Sequence, residues 1–491
     1  MDEFDRLGSA RDFPGDLLGE LPDSGTLAAY DRDWFEHGRS VSEAVDRGGT
    51  PWLRMFDDAG RRIDEIAYPP EYWNLLRSGY RAGIIAKAFE HQSIRPFYRL
   101  GYITSFHDPG LYCPYTVSLA TAVALHKYGS ESLKQRFLPP LLRTDDTVWQ
   151  GATWMTEIRG GSDLGTNVDT VAREHGGRWL LTGDKYFASN VGAELAVVAA
   201  RPEGAPQTVR GLALFLLPRR RENGELNYTV RRLKDKIATR SVPTGEVELR
   251  DSEAYLLGKP GQGIYLIMEV LNVSRVANSI ASVALAQRAI SDAAAFARKH
   301  HAFGRAILEQ PLLARQFHQR QAELHKALAL AAEAARMLDQ VWLQQPPYDD
   351  RYHLFRLVAH LAKYWTAEFA VQTCKWAMEV YGGLGVLGEF TVERWFREAM
   401  ILSIWEGTAH RQILDGLEVM QHKGAHRMLL DALRDRADGH SVAQLEAAIE
   451  RHLVLPQEEQ EAGAETLFRE LAGFTAETLA RGQVQDRPLP S

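Results

Sequence analysis

From Ile264 to Phe303 the chain contains neither glycine nor proline, and the same holds from Tyr348 to Tyr381. Both runs are rich in Ala, Leu, Glu, Arg and Gln and far exceed the length of an ordinary strand, so they predict long helices. Between them, "EQPLLARQFHQRQAELHKALALAAEAARMLDQVW" predicts another, with Pro311 suited to a first helical turn. Residues 263–423 are therefore expected to form a bundle of long helices.

Residues 151–262 carry a different pattern. Short apolar or alternating runs ("RWLLTG", "ELAVVAA", "GLALFLLP", "NYTVRRL", "GEVELRD") are separated by "HGG", "PEGAP" and "ENG". Closely spaced strands and turns of this kind predict a small barrel or sandwich. They do not alternate with long helices, so the pattern is not βαβ. Residues 50–150 return to helical character, clearest in "PEYWNLLRSGYRAGIIAKAFEHQ" and "YTVSLATAVALHKYG". The expected class is α+β, with four parts: a helical N-terminal domain with an extension (1–150), a β module (151–262), a long-helix bundle (263–423) and a short acidic helical extension (424–491). The final "QDRPLPS" is expected to fray.

Bulk properties narrow the function. At 491 residues the chain predicts roughly two to four domains. No stretch approaches the roughly 20 uninterrupted apolar residues of a membrane helix, and the acidic "MDEFDRLGSARDF" lacks a signal-peptide core. With only Cys113 and Cys374, far apart, a reducing cytoplasm is the expected setting. The formal charge of -7 argues against a nucleic-acid surface over the whole molecule. Beyond residue 424, seven arginines face twelve Asp and Glu, which disfavours duplex DNA, whose phosphates need clustered cations.

Two motifs are set aside. Gly383, Gly385 and Gly388 have G-x-G-x-x-G spacing, but a helical run precedes them where a dinucleotide fold needs a strand; a helix C-cap and tight turn suffice. There is no H-E-x-x-H and no G-x-S-x-G, so neither a metal site nor a serine nucleophile is expected.

One stretch raises a sharper question. In "ILSIWEGTAHRQIL" (401–414) a single carboxylate, Glu406, sits between Trp405 and Gly407 in apolar surroundings. Burying it without a partner is costly, so it either meets water or does its work buried.

Taken with "WMTEIRGGSDLGT" (154–166), "GDKYFASN" (183–190) and "EVYGGLGVLGEFTVERWFRE" (379–398), this stretch resembles the acyl-CoA dehydrogenase family over roughly residues 60–423. "MTE" with "GGSD", "YFAS", "RRLKDKIATRS", "EQPLL" and "SIWEGT" look most like its AidB-like branch of alkylation-response flavoproteins. The resemblance implies an N-terminal helical domain, a middle β-barrel and a C-terminal four-helix bundle. It also implies an FAD cofactor, an acyl-CoA substrate, an electron-transfer acceptor and a homotetramer built as a dimer of dimers.

Residue by residue, the resemblance implies that Met155, Thr156 and Ser162 line the flavin loop, with Thr156 at the pyrimidine edge and Ser162 at the pyrophosphate. Phe187 would pack beside the isoalloxazine, Ser189 would bond its N5, and Thr408 would also contact FAD. Glu379, Gly382, Gly383 and Phe303 would reach a neighbouring subunit's FAD. Glu406 would remove the α-proton of the thioester while the β-hydrogen leaves as hydride, with Trp405, Gly407 and Arg275 about the substrate. An alternative base position used by some members is Ser274 here, which leaves Glu406 alone in that role.

The sequence departs from the family at His300, where an arginine usually pairs with the pyrophosphate, leaving either Arg298 or Arg305 to substitute or the cofactor to bind more weakly. It departs again at Trp154, which replaces a small residue and is expected to narrow the acyl pocket. The alternative function is a DNA-damage-response flavoprotein that mainly binds DNA and retains weak dehydrogenase activity. A weaker third reading is a flavin monooxygenase-like relative.

Overall fold

The computed structural model describes residues 4–18 and 24–483. Residues 1–3 and the tail "QDRPLPS" lie outside them. No described helix is long and apolar enough to cross a membrane. The chain divides into two compact units: one of residues 25–93 and 108–274, the other of 1–24, 94–107 and 275–491.

The first unit combines helices with the β module. Helix Pro70–Arg81 opens on a proline, and in helix Pro109–Tyr128 the Asp108 side chain caps the N-terminus by accepting from Leu111 N–H. Before them lies an antiparallel hairpin, β1 (Trp52–Phe56) and β2 (Arg62–Ala67), a departure from the helical character expected across residues 50–150. Its cause is local. The Asp57 carboxylate accepts from the backbone N–H of Ala59 and Arg61, both at 2.9 Å, and Gly60 takes φ +74°, closing a turn between the two runs.

The β module is a barrel, which settles the choice between barrel and sandwich. Its strands are β3 (Gly151–Trp154), β4 (Val171–His175), β5 (Arg178–Ser189), β6 (Leu195–Pro202), β7 (Ala213–Pro218), β8 (Thr229–Leu233) and β9 (Thr244–Leu257). β6 pairs with β4 and with β7, and β4–β5–β9–β7 completes the ring, so these five strands leave no open edge between them. The fourteen-residue β9 serves β5, β7 and β8 in turn. Alternate residues point inward, and Trp154, Phe215, Leu217, Tyr228, Val247 and Leu249 fill the interior.

The second unit is built from long helices: Pro311–Val341, Asp350–Tyr381 and the part of Gly263–Lys299 from Arg275 onward, with Val392–Ile404 and Ala409–Lys423. Pro311 occupies a first-turn position, as its fixed φ favours. The glycine run is the end of a helix: Gly382 caps Asp350–Tyr381 at φ +58° and a 3₁₀ turn, Gly382–Val386, follows. The helices after residue 424 pack onto the bundle. A Cβ on Gly416 would stand 2.3 Å from the Phe468 ring, so glycine is required for helix Gln457–Gln483 to approach so closely. Phe468 in turn packs edge-on to Tyr364 at 5.6 Å.

Candidate active site

Glu406 lies where two helices of the second unit meet. Helix Val392–Ile404 ends at Trp405, and Thr408 is the N-cap position of Ala409–Lys423. The chain reverses between them through two left-handed residues, Glu406 at φ +60° and Gly407 at φ +98°. The second suits glycine, but the first is costly for a residue with a Cβ, and such strain persists only when the surroundings over-determine it. Here they do. Gln412 Nε2 donates to the carbonyls of both Glu406 and Gly407 (3.0 Å each), and Arg275 Nε donates to Glu406 O (3.2 Å). Lys363 Nζ holds Ser403 O (3.0 Å) and Asn278 Nδ2 holds Leu402 O (3.0 Å).

This cage is itself anchored. Arg275 pairs with Asp415 (3.0 Å), which also accepts from Arg411 Nε (2.9 Å). Burial drives the His360 imidazole down to about 3, so the ring is neutral. Since Gln412 spends its amide N–H groups on carbonyls, its Oε1 accepts from His360 Nδ1 (2.9 Å), which fixes the tautomer. Trp405 Nε1 is buried and finds no acceptor among the described residues.

The electrostatics single out Glu406. The residue keeps some accessible surface, yet crowding around the carboxyl raises its pKa to about 7, against the opposing pull of Arg275 and Lys363. Burial lowers the Lys363 ammonium to about 7. A carboxyl poised near neutrality can take up or release a proton at physiological pH.

In the first unit, the "WMTE" loop is fixed by a residue that sequence reasoning passed over. The buried Glu157 carboxylate accepts from Lys185 Nζ (2.6 Å), Thr170 Oγ1 (2.6 Å) and Asp169 N–H (2.7 Å), and Lys185 also donates to Ala199 O (2.7 Å). Thr156 O accepts from Tyr186 N–H (3.0 Å), so the loop lies along β5. A Cβ on Gly161 would meet Thr156 Oγ1 at 2.5 Å; only glycine lets the loop fold over that hydroxyl. Met155 is buried, Thr156 partly so, and Ser162 exposed. At the end of β5, Ser189 Oγ lies 3.2 Å from Thr244 Oγ1, and the half-exposed Phe187 has Lys234 Nζ 4.8 Å above its ring.

Trp154 does not behave as expected. Its ring is fully buried inside the barrel, edge-on to Tyr228 at 5.1 Å, and its indole N–H donates to Ser189 O (3.0 Å). It is a core residue that tethers the end of β5. Beside Thr244 a cleft of about 430 Å³ is lined by Trp52, Arg231, Arg232, Lys234 and Lys236 among others. Its cations are largely answered, Arg232 and Lys234 by Glu246 (2.7 and 2.8 Å) and Arg231 by Glu248 (3.1 Å).

Of the residues named from sequence, Glu406, Trp405, Gly407, Thr408 and Arg275 converge on one turn, while Met155, Thr156, Phe187 and Ser189 share one end of the barrel. Phe303, Glu379, Gly382 and Gly383 join neither group. Phe303 is almost wholly exposed at the tip of the hairpin His301–Ala302/Arg305–Ala306, at φ +55°. Twenty-four helical steps separate Arg275 from Lys299, which puts that hairpin roughly 36 Å along the helix from the Glu406 turn. Glu379 pairs with Lys375, and a Cβ on Gly382 or Gly383 would enter open space. His300 stacks on Phe296 (5.0 Å), which stacks on Tyr381.

Comparison with known proteins places this geometry. Three family profiles match: the adaptive response protein AidB N-terminal domain over residues 20–146, the acyl-CoA dehydrogenase middle domain over 152–252 and its C-terminal domain over 261–420. Acyl-CoA dehydrogenase family member 11 of Caenorhabditis elegans is 31% identical over 413 residues, spanning 80% of this chain and 67% of that protein. The chain belongs to the acyl-CoA dehydrogenase family.

Within that family it carries an AidB-type N-terminal domain, and the AidB protein of Escherichia coli strain K12 is 29% identical over 424 residues (82% of this chain, 76% of that one). The solved apo form of Bd2924 shares the fold with TM-score 0.86 at 28% identity, covering 98% of this chain and 97% of that one. ACDH-11 of Caenorhabditis elegans does so at 0.84 and 24% identity (99% and 91%), a likeness of fold. The acyl-CoA dehydrogenase profiles stop at residue 420, whereas the fold continues through the helices packed on the bundle.

Proposed function

We propose that this protein is an FAD-dependent acyl-CoA dehydrogenase in which Glu406 removes the α-proton of an acyl thioester. The observation that carries the reading is the Glu406 carboxyl at about 7, on a strained turn fixed by Arg275, Gln412 and Lys363. An unmoved glutamate would be a weak base, and an unfixed one would lose its alignment with the proton it takes. Family membership supports the substrate class.

The barrel residues suit a flavin chemically. Thr156, Ser162 and Ser189 offer hydroxyls that can donate or accept, and Phe187 offers an exposed aromatic face. These residues, with Met155, would hold the cofactor. When bound, FAD supplies the acceptor for the β-hydride. Phe303, on the hairpin that follows helix Gly263–Lys299, and Glu379, Gly382 and Gly383, at the end of helix Asp350–Tyr381, are exposed and suit the site of a second copy of the chain in a homotetramer.

Binding of duplex DNA finds less support. On the C-terminal helices Arg427, Arg434, Arg469 and Arg481 are each paired with a carboxylate, so their charge is already answered.

The test is direct. The purified protein should carry flavin colour that bleaches when an acyl-CoA is added without oxygen, and Glu406→Gln should keep the colour but lose the bleaching. Turnover by Glu406→Gln at the parent rate would refute the assignment.

A further inference from the structure

We propose that Lys363 is a positioning residue that sets both the place and the ionisation of Glu406; this rests on the reading of Glu406 as the base. Lys363 is 1% exposed, on helix Asp350–Tyr381, and its ammonium donates to the carbonyl of Ser403, three residues before Glu406. Holding a carbonyl does not require a charge. The adjacent carbonyl of Leu402 is held by the neutral amide of Asn278, and those of Glu406 and Gly407 by the neutral amide of Gln412. A buried ammonium in such company is expensive unless its charge is used.

The surrounding charges show where that use lies. From helix Gly263–Lys299 comes Arg275, whose charge is answered by Asp415 at 3.0 Å; from Ala409–Lys423 come Asp415 itself and Arg411, bound to one another. From Asp350–Tyr381 come Arg356, Glu368, the neutral His360 and Lys363. Among the described residues Lys363 has only the neutral Ser403 oxygen within hydrogen-bond reach, and of the carboxylates whose charge it feels Glu406 comes ahead of Glu368. Burial favours protonated Glu406; the positive charges of Arg275, the stronger, and of Lys363 oppose this and keep a fraction of the carboxyl ionised near neutral pH. The two groups titrate as a pair, so removing one charge must move the other's midpoint.

The experiment follows the Glu406 carboxyl itself, by infrared difference titration of the purified full-length protein, with the band assigned by its loss in Glu406→Gln. In Lys363→Met the band should persist to higher pH by about one unit, the low end of the effect of a close opposite charge. Lys363→Gln, which keeps a donor for Ser403 O, should shift it likewise and serves if the Met variant fails to fold. Lys363→Arg should restore the parent midpoint. A midpoint unchanged or lowered in the folded neutral variants would overturn the proposal, as would an Arg variant that titrates like Met. Acyl-CoA bleaching by Glu406→Gln reports separately: if it persists, Glu406 is not the base, while the infrared midpoint still judges the coupling to Lys363.

Discussion

Trp154 gives the most discriminating perturbation, because position in the sequence and position in the fold predict opposite phenotypes. As a bulky residue in place of a small one, it would be expected to shape the acyl pocket. In the barrel it is fully buried, edge-on to Tyr228, and its indole N–H holds the Ser189 carbonyl at 3.0 Å. Trp154→Phe keeps a ring but removes that donor; an acceptor left short of its partner costs about 1–3 kcal/mol, so a loss of about 2 kcal/mol is expected. Trp154→Ala also opens a cavity in the core and should cost about 4 kcal/mol. Both are measured by urea denaturation followed by circular dichroism. The second measurement is the relative bleaching rate across a series of acyl-CoA chain lengths, which should keep its rank order in Trp154→Phe. A changed chain-length preference with an unmoved urea midpoint would refute the core assignment.

The remaining predictions address the two fixed loops and the base. With Glu406 at about 7, the ionised and active fraction is about one-tenth at pH 6 and about nine-tenths at pH 8, so kcat/KM should rise about tenfold across that interval; a flat profile would contradict a glutamate base. Gly407→Ala would place a Cβ 2.7 Å from Gln412 Nε2 at φ +98°, costing about 1–3 kcal/mol in strain and displacing the donor of two carbonyls. Stopped-flow bleaching should slow at least tenfold. Glu157→Gln leaves buried Lys185 without its anion and should lower stability by about 3–5 kcal/mol in urea; a stability equal to the parent's would show that Glu157 does not anchor the loop.

The differences between sequence and structure have one physical source. Uninterrupted runs such as 264–303 declare a helix because the pattern belongs to the element itself, and the Pro311 start is equally local. The hairpin Trp52–Ala67 escaped because its signal is a single aspartate-glycine turn inside a region of helical composition. Glu406 stood out for the opposite reason: a charge among apolar residues violates the local pattern. What no local pattern could reveal is the company it keeps. Arg275, Lys363 and Gln412 lie on three helices, separated from one another by 49 to 137 positions in the chain, and each reads alone as an ordinary polar residue. Their convergence on the carbonyls of one turn exists only after packing. It also explains why a glutamate tolerates φ +60° there: the strain is held by donors from all three helices, so the carboxyl cannot relax without unmaking the cage.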